Sequence, residues 1–155
     1  MPGRRSLEEN RYYAHPRNQF WPIMGKLFGA GPELSYPKRL ARLKKAGIAL
    51  WDVLKHCRRR GSLDTSILID SEIPNDIRSL LEEHASIRAV CFNGEKAKKT
   101  FLNRVAGTLP RAIHERLSFI TLPSTSPANA GKTFAAKLRE WKVIKPSGKS
   151  QRLLI

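Results

Sequence analysis

The chain has 155 residues, 41% of them hydrophobic, with 29 Lys and Arg against 13 Asp and Glu and a formal charge of +16. That length supports one domain around one core, and the apolar fraction excludes a disordered basic tail. The charge exceeds what solubility asks for and opposes compaction, so a polyanion partner is expected, nucleic acid before a membrane surface.

No apolar run approaches the roughly 18 residues that span a bilayer. Pro2-Gly3-Arg4-Arg5 leads into charged residues, unlike the apolar region of a signal peptide. Cys57 and Cys91 lie far apart and show no metal spacing. A reducing, intracellular compartment fits, and an iron-sulfur cluster does not. Charge is segregated along the chain. Lys38 to Arg60 carries nine basic residues and one acid, Asp52, whereas Asp64 to Glu83 carries six acids and one base, Arg78. Such a molecule can orient on DNA instead of merely adhering to it.

In chain order, residues 1–11 are polar and not expected to be regular throughout. Asn18 to Phe28 reads as a helix, provided Pro22 falls in its first turn, and Gly29-Ala30-Gly31-Pro32 ends it. Pro37 to Ala46 reads as a basic helix with Leu40, Leu43 and Ala46 inward and Gly47 as its stop. Ile48 to Leu54 is a mostly apolar run suited to a buried strand. Cys57 to Leu63 is a loop. Pro74 to His84 predicts an acidic amphipathic helix, Ile87 to Phe92 a second buried strand, Glu95 to Val105 a helix, and Leu117 to Leu122 a third strand. Pro123 to Asn129 is a loop, Lys132 to Trp141 a last helix, and the tail after Lys145 is expected to fray. Strands alternating with helices predict a single α/β domain over residues 1–155, three-layered, with a mostly parallel central sheet. Ligands of such sheets sit beyond the carboxyl ends of the strands, where Asp52, Asn93 and the Ser124 loop fall.

One stretch is of a different kind. Tyr12 to Met24 packs two tyrosines, a histidine, an asparagine, a Phe-Trp pair and two prolines into a short span. A pocket that stacks a flat ring and sets one polar group against it needs that mixture. Ala14-His15-Pro16-Arg17-Asn18-Gln19-Phe20-Trp21, Phe92-Asn93-Gly94 and Leu122 to Asn129 resemble the uracil-DNA glycosylase superfamily, most closely its DNA-deoxyinosine (hypoxanthine-DNA) glycosylase branch. The resemblance covers nearly the whole chain, and the block from Tyr12 to Met24 is its specific part. It implies a monomeric, cytoplasmic α/β/α enzyme of a bacterium or archaeon that needs no cofactor and flips a deaminated base out of duplex DNA. Its N-glycosidic bond is then hydrolysed to leave an abasic site, without a metal or a Schiff base. The substrate implied is hypoxanthine in deoxyinosine, with uracil as a second. The alternative is a non-catalytic or truncated DNA-binding protein of the same fold.

The sequence departs from the family in two places. The family opens on an apolar strand running into a Gly-Ser-x-Pro-Gly turn, of which only Met1-Pro2-Gly3 stands here, so the central strand is expected to be missing. Related enzymes also carry His or Asn at the place of Leu122 and a wedge leucine at that of Ser126.

The resemblance implies roles residue by residue. Tyr13 matches the position that stacks on the extruded base, a contact worth roughly 1–3 kcal/mol per base; a core tyrosine is the other reading. Asn18 is the candidate catalytic residue, orienting the attacking water; as a helix cap it would be equally well placed. Asp52 stands where relatives read the base, and a carboxylate would accept from N1–H of hypoxanthine, which adenine lacks; capping, or a salt bridge within Arg58–Arg60, is the rival. Asn93 is the third base-binding candidate, although Asn-Gly serves turns for structural reasons alone. His15, Arg17, Ser124, Thr125, Ser126 and Lys132 are candidates for DNA contact.

Overall fold

The computed structural model describes residues 2–58, 68–145 and 152–155. In chain order the elements are α1 (Arg4–Glu8), α2 (Phe20–Phe28), α3 (Tyr36–Lys45), β1 (Ile48–Ala49), β2 (Leu54–His56), β3 (Ile73–Pro74) and α4 (Ile77–Glu83). There follow β4 (Ile87–Asn93), α5 (Glu95–Arg104), α6 (Arg111–Arg116), β5 (Ser118–Leu122), α7 (Phe134–Trp141) and β6 (Arg152–Leu154).

Local chemistry sets most of these limits. Pro22 falls in the first turn of α2, where its missing N–H costs nothing. Gly29 closes that helix in the left-handed conformation, at φ 64°. Asp76 caps α4 by accepting from the Ser79 N–H at 3.1 Å, and Thr133 caps α7 by accepting from the Ala136 N–H at 3.2 Å.

Strands β1, β6, β4 and β5, in that spatial order, form one sheet, and every pairing is parallel. Side chains alternate across it. Ala89, Cys91 and Leu153 face a core with Phe20, Trp21, Met24, Leu43 and Trp141, from α2, α3 and α7. Val90, Phe92 and Leu154 face the opposite core with Ile77, Leu81, Phe101, Val105 and Ile113, from α4, α5 and α6. The result is the expected α/β/α layering around a parallel sheet.

Two expectations need correction. Ile48 to Leu54 is not one strand. Only Ile48 and Ala49 pair in the sheet, and Leu54–His56 joins Ile73–Pro74 in a separate antiparallel ribbon. Asp52 explains the break: a charged side chain does not suit a strand buried on both faces. The peeled-away backbone finds other partners, since the Asn75 side chain donates to the Asp52 carbonyl at 2.7 Å and the Asn75 N–H to the Val53 carbonyl at 2.9 Å.

The second correction concerns the centre of the sheet. The position expected to be vacant is held by β6, between β1 and β4. Leu153 and Leu154 are 3% and 2% exposed, so this part of the tail is core instead of frayed end. Residues 146–151, and those from 59 of the loop predicted over Cys57 to Leu63, lie outside the described residues. Helix α6 has no counterpart in the sequence reading; its six residues are too short for periodicity to show.

If β6 is a core strand, Leu153→Ala should cost about 2–5 kcal/mol in urea unfolding. The same truncation at Leu102, 48% exposed on α5, should stay within about 0.5 kcal/mol. Equal costs at the two sites would contradict this placement of β6.

Candidate active site

All four strands of the main sheet run the same way, so their carboxyl ends open on one edge. A cavity of about 970 Å³ lies there. Tyr13, His15, Arg17 and Asn18 reach it from the segment before α2, Asp52 from beyond β1, and Asn93 from the end of β4. Ser124, Thr125 and Ser126 reach it from beyond β5. Lys132 is not among the lining residues; its ammonium pairs with Glu140 at 2.7 Å.

Tyr13 is held in an uncommon backbone conformation, φ 55°, which a bulky residue adopts only when its surroundings enforce it. Those surroundings are aromatic. The Tyr13 ring stacks on Phe20, with centroids 3.9 Å apart and planes at 22°. Phe20 is fully buried and meets Trp21 and Trp141 edge-on. The neighbouring backbone is pinned as well. The Trp21 indole donates to the Tyr12 carbonyl at 2.9 Å, the Tyr12 N–H to the Tyr36 hydroxyl at 3.0 Å, and the Ala14 N–H to Ser6 Oγ at 3.2 Å.

Burial pushes the Tyr13 phenol well above the usual tyrosine pKa; a hydrogen bond with Asn93 opposes the rise and the Asp52 charge adds to it. Tyr12 is raised to about 12, by burial first and then by Asp52 and Tyr36.

Asn18 stands just before Gln19, the N-cap of α2, and makes an Asx-type turn: its Oδ1 accepts from the Phe20 N–H at 2.9 Å. A carbonyl oxygen has a second lone pair, so this bond does not exhaust it. His15 Nδ1 accepts from the Arg17 N–H at 3.1 Å. In the neutral ring the proton therefore sits on Nε2. Arg17 itself is exposed.

Asn93 and Thr125 are joined in both directions. Asn93 Nδ2 donates to Thr125 Oγ1 at 2.8 Å, and the Thr125 N–H donates back to Asn93 Oδ1 at 2.9 Å. The Thr125 carbonyl then accepts from the Gln19 N–H at 3.0 Å. Thr125 is fully buried, so its hydroxyl is a structural clamp and not a surface donor. Beside it Gly94 is required twice over: its φ is +102°, and an added Cβ would sit 3.0 Å from that of Ser124. The rest of the loop is folded on itself. Ser124 Oγ accepts from the Ser126 N–H at 3.2 Å, Ser126 Oγ from the Ala128 N–H at 3.3 Å, and the Ser124 carbonyl from Asn129 Nδ2 at 3.0 Å.

This geometry can be set beside known proteins. The chain matches the family model of the uracil DNA glycosylase superfamily over residues 1–145. The chain belongs to that superfamily. Two curated relatives, from Methanosarcina acetivorans and Methanosarcina barkeri, are named "Hypoxanthine DNA glycosylase". They are 41% and 39% identical over 98 residues, which is 63% of this chain and 61% of each relative. The aligned part thus spans under two thirds of the relatives' length. A solution NMR structure of a Methanosarcina acetivorans protein assigned as a uracil DNA glycosylase superposes with a TM-score of 0.72 at 32% identity. That match covers 92% of this chain and 83% of the other.

Within this superfamily member, the sequence reading places Tyr13, Asn18, Asp52 and Asn93 in one cavity but misses what holds them. Asp52 hangs from Asn75, as described above, and Trp51, half-buried against the core, also lines the cavity. Lys96, in the first turn of α5, also lines it. Its ammonium meets the Glu72 carboxylate at 2.8 Å, and Arg104 meets the same group at 3.3 Å. Burial alone would raise the Glu72 pKa, but the hydrogen bonds and charges of Lys96 and Arg104 outweigh it and hold the carboxyl below its usual range. No short-range pattern announces a triad that ties the two ends of α5 to Glu72, on a distant segment. The sequence offers Asn93 and Thr125 separately, one toward the base and one toward the DNA backbone, and does not show their mutual bond.

Thr125→Val keeps the shape of the clamp and removes the acceptor for Asn93, so it should cost about 1–3 kcal/mol in urea unfolding, with Thr125→Ser retaining most of the stability. A second outcome concerns alkaline pH. The folded-state pKa values of Tyr12 and Tyr13 lie above the unfolded value near 10. Their contribution to stability is therefore complete below about pH 10 and declines as pH rises toward the folded values. Thermal melts should show this decline, and Tyr13→Phe should lessen it.

Proposed function

We propose that this chain is a monofunctional DNA glycosylase that removes hypoxanthine from deoxyinosine in duplex DNA, with uracil as a second substrate. The observation that carries the reading is the convergence of Tyr13, Asn18, Asp52 and Asn93 on one cavity beyond the sheet's carboxyl ends. Membership of the superfamily and the names of the archaeal relatives support it.

In this reading the extruded base lies against Tyr13, whose backing by Phe20 keeps the ring from yielding. Asp52 accepts from N1–H of hypoxanthine; adenine presents a lone pair there and is repelled. Asn18 offers the remaining lone pair of its amide oxygen to a water. The water oxygen bonds to the sugar C1′ as the C1′–N9 bond breaks, and the bonding electrons leave with the base. The water's surplus proton passes to base or solvent. Asn93 has little left for the base, with both ends of its amide committed to Thr125; its role is to fix the pocket and the Tyr13 hydroxyl. His15 Nε2–H, Arg17, Ser124 and Ser126 contact the phosphate backbone, and binding is correspondingly salt-dependent. The enzyme acts as a cytoplasmic monomer.

One observation favours the second reading, a DNA-binding protein without turnover: the Asn18 amide oxygen already serves α2. The two separate cleanly on duplexes carrying one inosine or one uracil, with alkali revealing abasic sites. Hydrolysis should be seen, and Asn18→Ala should lower the single-turnover rate by roughly 10²-fold or more, as loss of a positioned catalytic group does. Asp52→Asn should narrow the preference for inosine over adenine. Absence of cleavage with intact duplex binding would leave only the non-catalytic reading.

A further inference from the structure

Of the described residues buried as a whole, Lys137 alone carries a charge; it is 2% exposed in the middle of α7. A buried ion is costly unless paired, and Glu72 follows this rule. The largely buried Glu72 carboxylate has two cations against it. Lys137 has no carboxylate partner among the described residues. Its ammonium donates to the Asn129 carbonyl at 2.8 Å, which leaves two of its three N–H donors unspent. Burial accordingly lowers its pKa.

Its one acceptor belongs to the loop that closes the cavity. Asn129 bonds back to Ser124 through its side chain, at 3.0 Å, and to the Ser126 carbonyl through its N–H, at 3.0 Å. Lys137 thus sits behind a self-bonded loop whose front lines the site. A positive charge walled off from water acts further than a surface one, because little solvent screens it. The counter-charge it lacks within the protein is what a phosphate diester would bring.

We propose that Lys137 is a positioning residue for DNA: it anchors the Ser124–Asn129 loop from behind and supplies the unpaired charge that draws a backbone phosphate onto it. This rests on the reading of the cavity as DNA-facing. It adds a residue whose burial hides it from any inspection of the surface, and a phosphate site that Lys132, paired with Glu140, does not provide.

The test uses Lys137→Met, which keeps the length and loses the charge, and Lys137→Gln, which is also neutral but keeps a donor. Binding to an undamaged duplex is measured across a salt series, beside single-turnover cleavage at saturating enzyme and a melt without DNA. The expected result for Lys137→Met is a melting temperature at or above wild type, a roughly tenfold weaker Kd, and a salt slope shallower by about one. The saturating rate should hold, and Lys137→Arg should recover part of the affinity. Wild-type Kd and slope in Lys137→Met would overturn the proposal. If that variant does not fold, the salt slope of Lys137→Gln decides in the same way. Should the wild-type protein itself not bind duplex, the DNA-facing reading falls first, and this proposal with it.

Discussion

The site depends on one reciprocal pair of hydrogen bonds. Asn93 ends the long strand β4, and Thr125 lies in the loop that leaves β5. Each donates to the other, and the Thr125 carbonyl takes the N–H of Gln19 at the mouth of α2. Three segments distant in sequence are thereby fixed at one point. Most of what is proposed to touch DNA hangs from one of them: Tyr13 and Asn18 precede α2, and Ser124 and Ser126 flank Thr125, whereas Asp52 is held separately, by Asn75. A neutral pair suits this task. Both residues are satisfied by each other, so burial carries little penalty, and the geometry does not change with pH as a charged clamp would.

The aromatic segment works by a different principle. Tyr13, Phe20, Trp21 and Trp141 form a chain of ring contacts running from the cavity into the core. Its innermost members are buried and its outermost lines the pocket. The strained backbone of Tyr13 is stable only because that chain, and the bonds on Tyr12 and Ala14, hold it from both sides. Rigidity at the pocket wall is thus borrowed from the core.

Much of this was legible in the residues. The alternation of apolar runs gave the α/β layering, and glycines at 29, 47 and 94 marked turns because each occupies the left-handed region. The composition of the Tyr12–Met24 block pointed to a ring-stacking pocket before any contact was known. What escaped was non-local. The run from Ile48 to Leu54 looks like a buried strand by composition, yet Asp52 turns it out of the sheet onto Asn75. Arg152–Leu154 looks like the end of a basic tail, because three residues are too few to show a pattern. Only the partners on either side, β1 and β4, make them a strand. Thr125 read as one of three equivalent hydroxyls, whereas depth separates it from Ser124 and Ser126.

The placement of β6 also dictates an order of assembly. Strand β1 with α2 and α3 forms one slab and β4 and β5 with their helices another, and the two meet in the core that Ala89 and Cys91 share with Phe20 and Trp21. Among the described residues the two share no direct strand pairing, and β6 joins them in the sheet. During synthesis, at about 5–20 residues per second, both slabs emerge before the strand that joins them. Until it arrives, β1 and β4 each keep a sheet edge open. Closing so long a loop is slow, and in that interval the unpaired edges of β1 and β4 are open to strands of other molecules. The same topology that builds the cavity leaves the nascent chain with unpaired strand edges until β6 arrives.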